Sequence, residues 1–308
     1  MIKVSVILVN FNGLEFLPNC LDSLQKSLAK DCEVIVVDNA STDGSVSYLR
    51  REHQWIRLIT SPVNLGFTGG NNLGASHALG EYVFLVNVDT VFESGFSQLM
   101  STADDQSDFG VLGCRLFYGD GRQQETIGLE NTPTGLAMSW FPLPFVSRYF
   151  PRTLSKVSSL YSQDLTDVAW VSGAALLTKK DIWDAVGGLD SDMFMYMEDV
   201  DYCDRVRAAG YKVSYTSLCS MVHFEGSGRE WIGERAVCNT MRSSLIYVSK
   251  RHNKIMLLYF RALLSLILFA RSSAHFSFWL FRRDKLELEK ASGYLSGIRI
   301  LLSGDLPK

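Results

Sequence analysis

Short apolar runs alternate with segments of helical spacing through the first ninety residues. "VSVILVN" (4–10) is β-branched and bounded by Asn-Phe-Asn-Gly, and "LEFLPNCLDSLQKSL" (14–28) repeats leucine at a helical interval. "EVIVVD" (33–38) predicts a second strand, followed by a helix through about Arg51 with Ser41, Thr42 or Asp43 as N-cap. "IRLIT" (56–60) predicts a third strand, "GNNLGASHAL" (70–79) a short helix stopped by Gly80, and "YVFLV" (82–86) a fourth strand. Strands that are apolar on both faces and alternate with helices imply a parallel sheet covered on both sides.

Beyond residue 100 the pattern is mixed. "GVLGCRLF" (110–117) and "VAWVSGAALLT" (168–178) predict strands, while "TPTGLAMSWFPLPF" (132–145) reads as a long irregular loop. "MFMYM" (193–197) is expected to be buried, leading into a helix from about Glu198 to Ala209 with Gly210 as its C′ residue, and "YKVSYT" (211–216) is a strand. From about residue 231 the chain turns helical and basic. This divides it into a catalytic-type α/β domain, 1–230, and a helical extension, 231–308.

Composition narrows the class. Of 308 residues, 47% are hydrophobic and 20% charged, as in a globular protein. A net charge of -3 with a pI near 6.0 excludes the basic footprint of a nucleic-acid binder. The six cysteines, Cys20, Cys32, Cys114, Cys203, Cys219 and Cys238, show no zinc spacing and read as reduced thiols in a cytoplasmic protein. "MIKVSVILVNFNG" runs directly into a strand without the cleavage site of a secretory signal.

Ligands of open α/β sheets bind outside the carboxyl ends of the strands. Asn10, Asp38 and Asp89 stand at three such ends and are expected to share a crevice. Asp38 can accept hydrogen bonds from a nucleoside or serve turn chemistry. Asp89 closes "EYVFLVNVDT" (81–90), where an acid can hold a divalent cation or shape a turn. "NLGFTGGNNLG" (64–74) offers helix N–H groups to a phosphate through Gly66, Gly69 and Gly70, and is equally compatible with a tight strand-to-helix turn. It matches neither G-x-G-x-x-G after the first strand nor a P-loop, which disfavours a nicotinamide dehydrogenase or an ATPase.

Glu198 and Asp199, in "MEDVD" (197–201), fall in the first turn of a predicted helix, where an ionised carboxylate is stabilised and can accept a proton. His223 ends an apolar stretch. Imidazole suits Mn²⁺ or Mg²⁺ when carboxylate and phosphate oxygens complete the shell. Asp89 and His223, with phosphate oxygens, are therefore a candidate set for either ion.

"VILVNFNG", "VIVVDNASTDGS", "NLGFTGGNN", "GEYVFLVNVDT", "WVSGAALLTKKDIWDAVGGLD" and "MYMEDVDYCDRVRAAGY", in that order over residues 3 to 228, resemble the family 2 glycosyltransferases, and their rhamnosyltransferase-like branch most closely. The resemblance implies an α/β GT-A fold: a Rossmann-like, mostly parallel sheet flanked by helices, here with a C-terminal helical extension. It implies an inverting transferase that moves a sugar from a nucleotide diphosphate sugar, dTDP-L-rhamnose or a UDP-sugar, to a saccharide or lipid-linked acceptor in cell-surface polysaccharide synthesis. Asp38 would contact the nucleoside, with Asn10 and Asn71 also on the donor side. Asp89 would be the metal-binding acid of the family's D-x-D element, Asp199 the general base, and His223 a metal ligand. Asn87 departs from the pattern by replacing the first acid of D-x-D, which puts strict metal dependence in question and leaves it ribose or a metal-bound water to bind. Trp170, Gly173 and Glu198 would line the acceptor side, and "EGSGR" (225–229) would close on the diphosphate through Arg229.

Two other classes compete. A nucleotidyltransferase would carry a glycine-rich basic loop after the first strand, which "VNFNGLEFL" lacks. A non-catalytic nucleotide-sugar binder would have no use for Asp38, Asp89, Asp199 and His223 together. Last, "KIMLLYFRALLSLILFA" (254–270) is very apolar but interrupted by Arg261, so its uninterrupted runs are too short for a bilayer. With Lys250, Arg251, Lys254, Arg271, Arg282, Arg283 and Lys285 around it, the segment suits helices lying on the anionic inner face of a membrane, or a hairpin packed within the protein or on a second subunit of a homo-oligomer.

Overall fold

The computed structural model of the chain describes residues 1–106, 108–128, 132–140, 159–224 and 233–303. Its strands are β1 (Val4–Asn10), β2 (Cys32–Asn39), β3 (Arg57–Ser61), β4 (Tyr82–Asn87), β5 (Thr90–Ser94), β6 (Phe109–Phe117), β7 (Ile127–Gly128), β8 (Thr166–Asp167), β9 (Trp170–Val171), β10 (Ala175–Lys179) and β11 (Lys212–His223). Its helices are α1 (Leu17–Ser27), α2 (Ser45–Glu52), α3 (Gly66–Ser76), α4 (Phe96–Asp104), α5 (Pro133–Met138), α6 (Lys180–Val186), α7 (Glu198–Ala208), α8 (Gly233–Arg251), α9 (Lys254–Arg282) and α10 (Lys285–Leu302).

The chain forms two compact units, one of residues 1–129, 157–191 and 198–227, the other of 130–156, 192–197 and 228–308. The first is built on one sheet in the order β3-β2-β1-β4-β10-β6-β11-β5, with β8 also on β11. The block β3-β2-β1-β4 is parallel. Beyond β4 the sheet turns antiparallel through β10, and β11 then runs parallel to β6.

Alternation along the central strands sends neighbouring side chains to opposite faces. One face buries Val4, Val6, Leu8, Phe84 and Val86 with Leu17, Leu21 and Leu24 of α1 and Leu99 of α4. The other buries Ile7, Val83, Leu85 and Val111 with Ala75 of α3, Trp183 of α6 and Tyr202 and Val206 of α7. Each Val, Leu, Ile or Phe among them, fully removed from water, contributes roughly 1.5–3 kcal/mol. The expected doubly covered α/β sheet is present.

Several local expectations are corrected. The second helix begins at Ser45, capped by left-handed Gly44, because Asp43 turns its carboxylate onto the amides of Leu14 and Ser45. The third begins at Gly66, so its glycines lie inside it: a Cβ on Gly70 would strike Val9, and one on Gly74 would lie 2.5 Å from Ile7. They let α3 approach β1 closely. The apolar run 168–178 divides into β9 and β10. The strand expected over 211–216 continues to His223, with register shifts against β6 at Lys212/Val213 and Thr216/Ser220. Of "MFMYM", Met193 is buried but Phe194 is exposed.

In the second unit, 133–138 is helical where a loop was expected, because Thr132 accepts from the Gly135 amide and Pro133 fits the first helical position; residues 141–145 of that loop lie outside the described residues. Helices α9 and α10 reverse at left-handed Arg283, and Gly297 lets α10 approach Val237 of α8 and Leu268 of α9 at 3.0 and 3.1 Å from a would-be Cβ. Arg261 does not interrupt α9: its guanidinium donates to the carbonyls of Leu301 and Ser303 at the end of α10. The result is one 29-residue helix that is long and apolar enough to cross a bilayer by length and composition, correcting the expectation from its uninterrupted runs.

Candidate active site

The nucleoside-type residues meet at the ends of β1 and β2, where Asn10 and Asp38 are register partners. Asn10 Nδ2 donates to Asp38 Oδ1 at 2.9 Å and to Ser41 Oγ at 3.0 Å, and the Ser41 amide donates to Asp38 Oδ2. Asn12 extends the mesh, accepting from the Thr42 amide at 2.7 Å. Asn10 and Asp38 are buried, and Asn10 Oδ1 has no partner. Asn39 Oδ1 and Thr68 Oγ1, on β2 and the adjoining first turn of α3, are also buried without partners. Buried polar atoms are normally satisfied, so three orphans at one edge of a sheet mark a place where a polar ligand fits. Asn71 is buried too, but its amide donates to Phe67 O within α3.

The next strand end carries the second group. Val9 of β1 is the register partner of Asn87, the last residue of β4, and Asp89 sits in the turn before β5. β11 antiparallel to β5 puts His223 opposite Thr90. His223 Nε2 lies 3.1 Å from Asn87 Nδ2 and 3.2 Å from Asp89 Oδ1. The structure thus brings Asn87, Asp89 and His223 together. Gln124 was not anticipated: it is buried, and its Oε1 lies 2.9 Å from His223 Nδ1. Two ligands on neighbouring corners of an octahedron, with bonds of about 2.1 Å, stand about 3 Å apart, so Asp89 and His223 are spaced to share one cation. Among the described residues no group of three or more His, Cys, Asp or Glu side chains gathers around such a point.

The third group stands at the start of α7, and its acids have separate fates. Asp201 pairs with Arg205 at 2.7 Å, and Arg205 also donates to the carbonyls of Val186 and Gly188. Asp199 accepts from the Gly173 amide at 3.0 Å and from the Val200 amide at 2.8 Å. Glu198 is buried with Oε2 unpartnered, and burial, then the charge of Asp199, pushes its carboxyl well above the usual range. Tyr196 and Met197, just before it, hold φ of +71° and +65°. The dipeptide Gly173–Ala174 links this group to the previous one, since Ala174 O accepts from the Asn87 amide at 3.2 Å. Trp170, in β9, is half-buried with its indole against Gly128. Arg229 and the 225–229 segment lie outside the described residues.

Residues 5–163 match the family model for glycosyl transferase family 2. The chain belongs to that family. Its relatives include an uncharacterized protein, y4gI, of Sinorhizobium fredii, 30% identical over 237 residues, which are 73% of this chain but 25% of that protein. The N-acetylglucosaminyl-diphospho-decaprenol L-rhamnosyltransferase of Mycobacterium tuberculosis is 27% identical over 80% of this chain and 84% of its own length. Among solved structures, the mannosyltransferase PcManGT of Pyrobaculum calidifontis, in complex with GDP-Man and Mn²⁺, superposes with a TM-score of 0.59 at 16% identity, covering 98% of this chain and 87% of that one. This glycosyltransferase therefore has the GT-A arrangement expected of its family. A separate cleft of about 750 Å³ opens beside Lys3, Cys32, Phe96 and Asp104 at the amino ends of β1 and β2, and none of the anticipated site residues lines it.

Proposed function

We propose that this glycosyltransferase is an inverting enzyme that moves a hexosyl group, L-rhamnose from dTDP-L-rhamnose, to a saccharide or lipid-linked acceptor in cell-surface polysaccharide synthesis. The observation that carries it is the fixed relation between Asp199 and the Asn87–Asp89–His223 group through Gly173 and Ala174. The printed activity of the mycobacterial relative supports the choice of rhamnose and of a lipid-linked acceptor. Residues 1–230 carry the chemistry, and 231–308 is a helical extension.

Asn10 and Asp38 take the nucleoside, and Asn71 and Arg229 complete the donor side. Asp89 and His223 are the residues that would hold Mg²⁺ or Mn²⁺. That ion, when bound, supplies positive charge against the departing diphosphate. Trp170, Gly173 and Glu198 line the acceptor. Asp199 removes the proton of the acceptor hydroxyl as its oxygen bonds to the anomeric carbon, the bond to the diphosphate breaks, and the configuration inverts.

The test is transfer from dTDP-L-rhamnose, UDP-sugars and GDP-sugars, read beside the rise in Tm each nucleotide gives with and without Mn²⁺. Stabilisation and transfer with dTDP-L-rhamnose are expected. Stabilisation by UDP alone would replace the donor, and absence of transfer from every donor would end the catalytic reading.

The protein also works peripherally on the inner face of the cytoplasmic membrane. Phe276, Phe278, Leu280 and Phe281 are exposed beside Arg282, Arg283 and Lys285 where α9 turns into α10, a mixture suited to an anionic interface. Replacing the three cations by Gln is expected to weaken binding to phosphatidylglycerol vesicles about tenfold or more in flotation assays. Equal binding to neutral and anionic vesicles would remove this part of the reading.

A further inference from the structure

His223 is held from three sides, and the chemistry of two partners decides where its proton lies. The side-chain oxygen of Gln124 can only accept, so the nitrogen facing it, Nδ1, must donate. The amide nitrogen of Asn87 can only donate, so the nitrogen facing it, Nε2, must accept. Both contacts select the tautomer protonated on Nδ1. In that form the Nε2 lone pair and the Asp89 carboxylate, 3.2 Å apart, are two acceptors with no proton between them. Such a pair is relieved when a cation lies between them.

The partner on the Nδ1 side is built in. Gln124 is 3% exposed, and its amide donates to Leu116 O at the end of β6. Gln123 adds a second tie, its side chain donating to Leu116 O and to Gln124 O at 2.9 and 3.0 Å. The acceptor therefore rides on the sheet. A ligating histidine depends on the group that receives its other N–H, because that contact fixes both tautomer and ring orientation.

We propose that Gln124 is a positioning residue that holds His223 in the Nδ1–H form with its Nε2 lone pair turned to the cation site, and that Asn87 is the matched donor that occupies this lone pair until a cation displaces it. Asn87 is then not merely a weakened acid. An aspartate there could not donate to Nε2, so the amide at 87 and the amide at 124 form one device. The inference rests on the reading of Asp89 and His223 as cation ligands.

The test uses the full chain labelled with ¹⁵N-histidine. Long-range ¹H–¹⁵N spectra, with His223 assigned by its loss in His223→Asn, are expected to show the Nδ1–H form without any metal. Gln124→Met keeps the shape but removes the acceptor. It should give a mixed tautomer, and Mn²⁺ affinity read by electron paramagnetic resonance, with inorganic pyrophosphate present, should fall about 10- to 100-fold. Gln124→Glu restores an acceptor and should restore the Nδ1–H signature, which keeps the question open to test if Gln124→Met fails to fold. An Nε2–H form in the unaltered protein or in Gln124→Glu, or an unchanged tautomer and affinity in folded Gln124→Met, would overturn the proposal. Unchanged Mn²⁺ affinity in His223→Asn would instead remove the ligand reading on which it rests.

Discussion

The two sides of the strand-end layer are built on opposite plans. On the β1–β2 side, Asn10, Asn12, Asp38 and Ser41 come from two strand ends and the turns after them, about thirty residues apart, and are tied down through hydrogen bonds of 2.7 to 3.0 Å. On the β4–β10–β11 side the contacts join residues 26, 99 and 136 positions apart. There the unpartnered atom, Glu198 Oε2, belongs to a buried acid, whereas those of the first side are neutral amide and hydroxyl oxygens, and two consecutive non-glycine residues leading into α7 hold positive φ. Each such residue costs on the order of 1–3 kcal/mol, so the surrounding packing has to hold it in place. The contrast suggests a division of labour. Under the proposed function the first side would be the socket for the nucleoside, and the second would give up stability to aim the reactive groups.

The sharpest way to break this comparison is Asp199→Asn. It keeps the shape of α7 and should lower kcat by about 10² to 10⁴ while nucleotide-induced stabilisation stays near that of the unaltered enzyme. Turnover within a few-fold of normal would remove Asp199 from the reaction. Asp38→Asn should do the reverse. It turns an acceptor into a donor opposite the Ser41 amide and toward the nucleoside, so KM for the donor should rise about 10- to 100-fold with a smaller change in kcat. An effect confined to kcat would mean that the two sides are not separable.

Glu198→Gln addresses the stability given up on the second side. In the unfolded chain a glutamate ionises near pH 4.3, whereas the folded carboxyl, raised by burial and by Asp199, keeps its proton to higher pH. The folded state then binds more protons, so stability falls as pH rises from about 4.3 towards the folded value. The glutamine variant lacks this loss and should melt at a higher temperature than the unaltered enzyme at pH 7.5, by on the order of 1 kcal/mol, with the difference gone near pH 4. A lower Tm at pH 7.5 would show that the carboxyl is satisfied by some other means. The smallest effect is expected far from both sides. Lys3 bridges Glu81 and Asp104 at 3.1 and 3.0 Å at the amino ends of the strands, and Lys3→Ala should cost no more than about 1 kcal/mol and leave kcat and KM alone.

The same contrast explains what the sequence made legible. The parallel block could be read because its strands are buried on both faces, and Asn10, Asp38 and Asp89 could be placed because strand ends in such a sheet share an edge. Glu198 and Asp199 were readable as first-turn acids. Gln124 was not, since an isolated amide 99 positions from His223 leaves no local pattern. The reach of β11 to His223 was hidden by Ser217 and Ser220, which interrupt the apolar alternation where the register shifts. The early start of α3 was missed because glycine is a poor helix former, and its tolerance here comes from the closeness of Val9 and Ile7, which no single segment reveals.

Gly173 has a practical meaning for anyone wishing to alter what this enzyme joins. A side chain there would press within 3.1 Å of the Phe67 ring and 3.6 Å of Asp199 Cβ, while the residue beside it anchors Asn87. The span between Asp199, the proposed proton acceptor, and Asn87 is thus gauged by backbone, a fixed ruler that a library of variants cannot lengthen one side chain at a time. Retargeting to a bulkier sugar or a different hydroxyl would have to keep residues 173 and 174 constant and take its diversity from the loops around them.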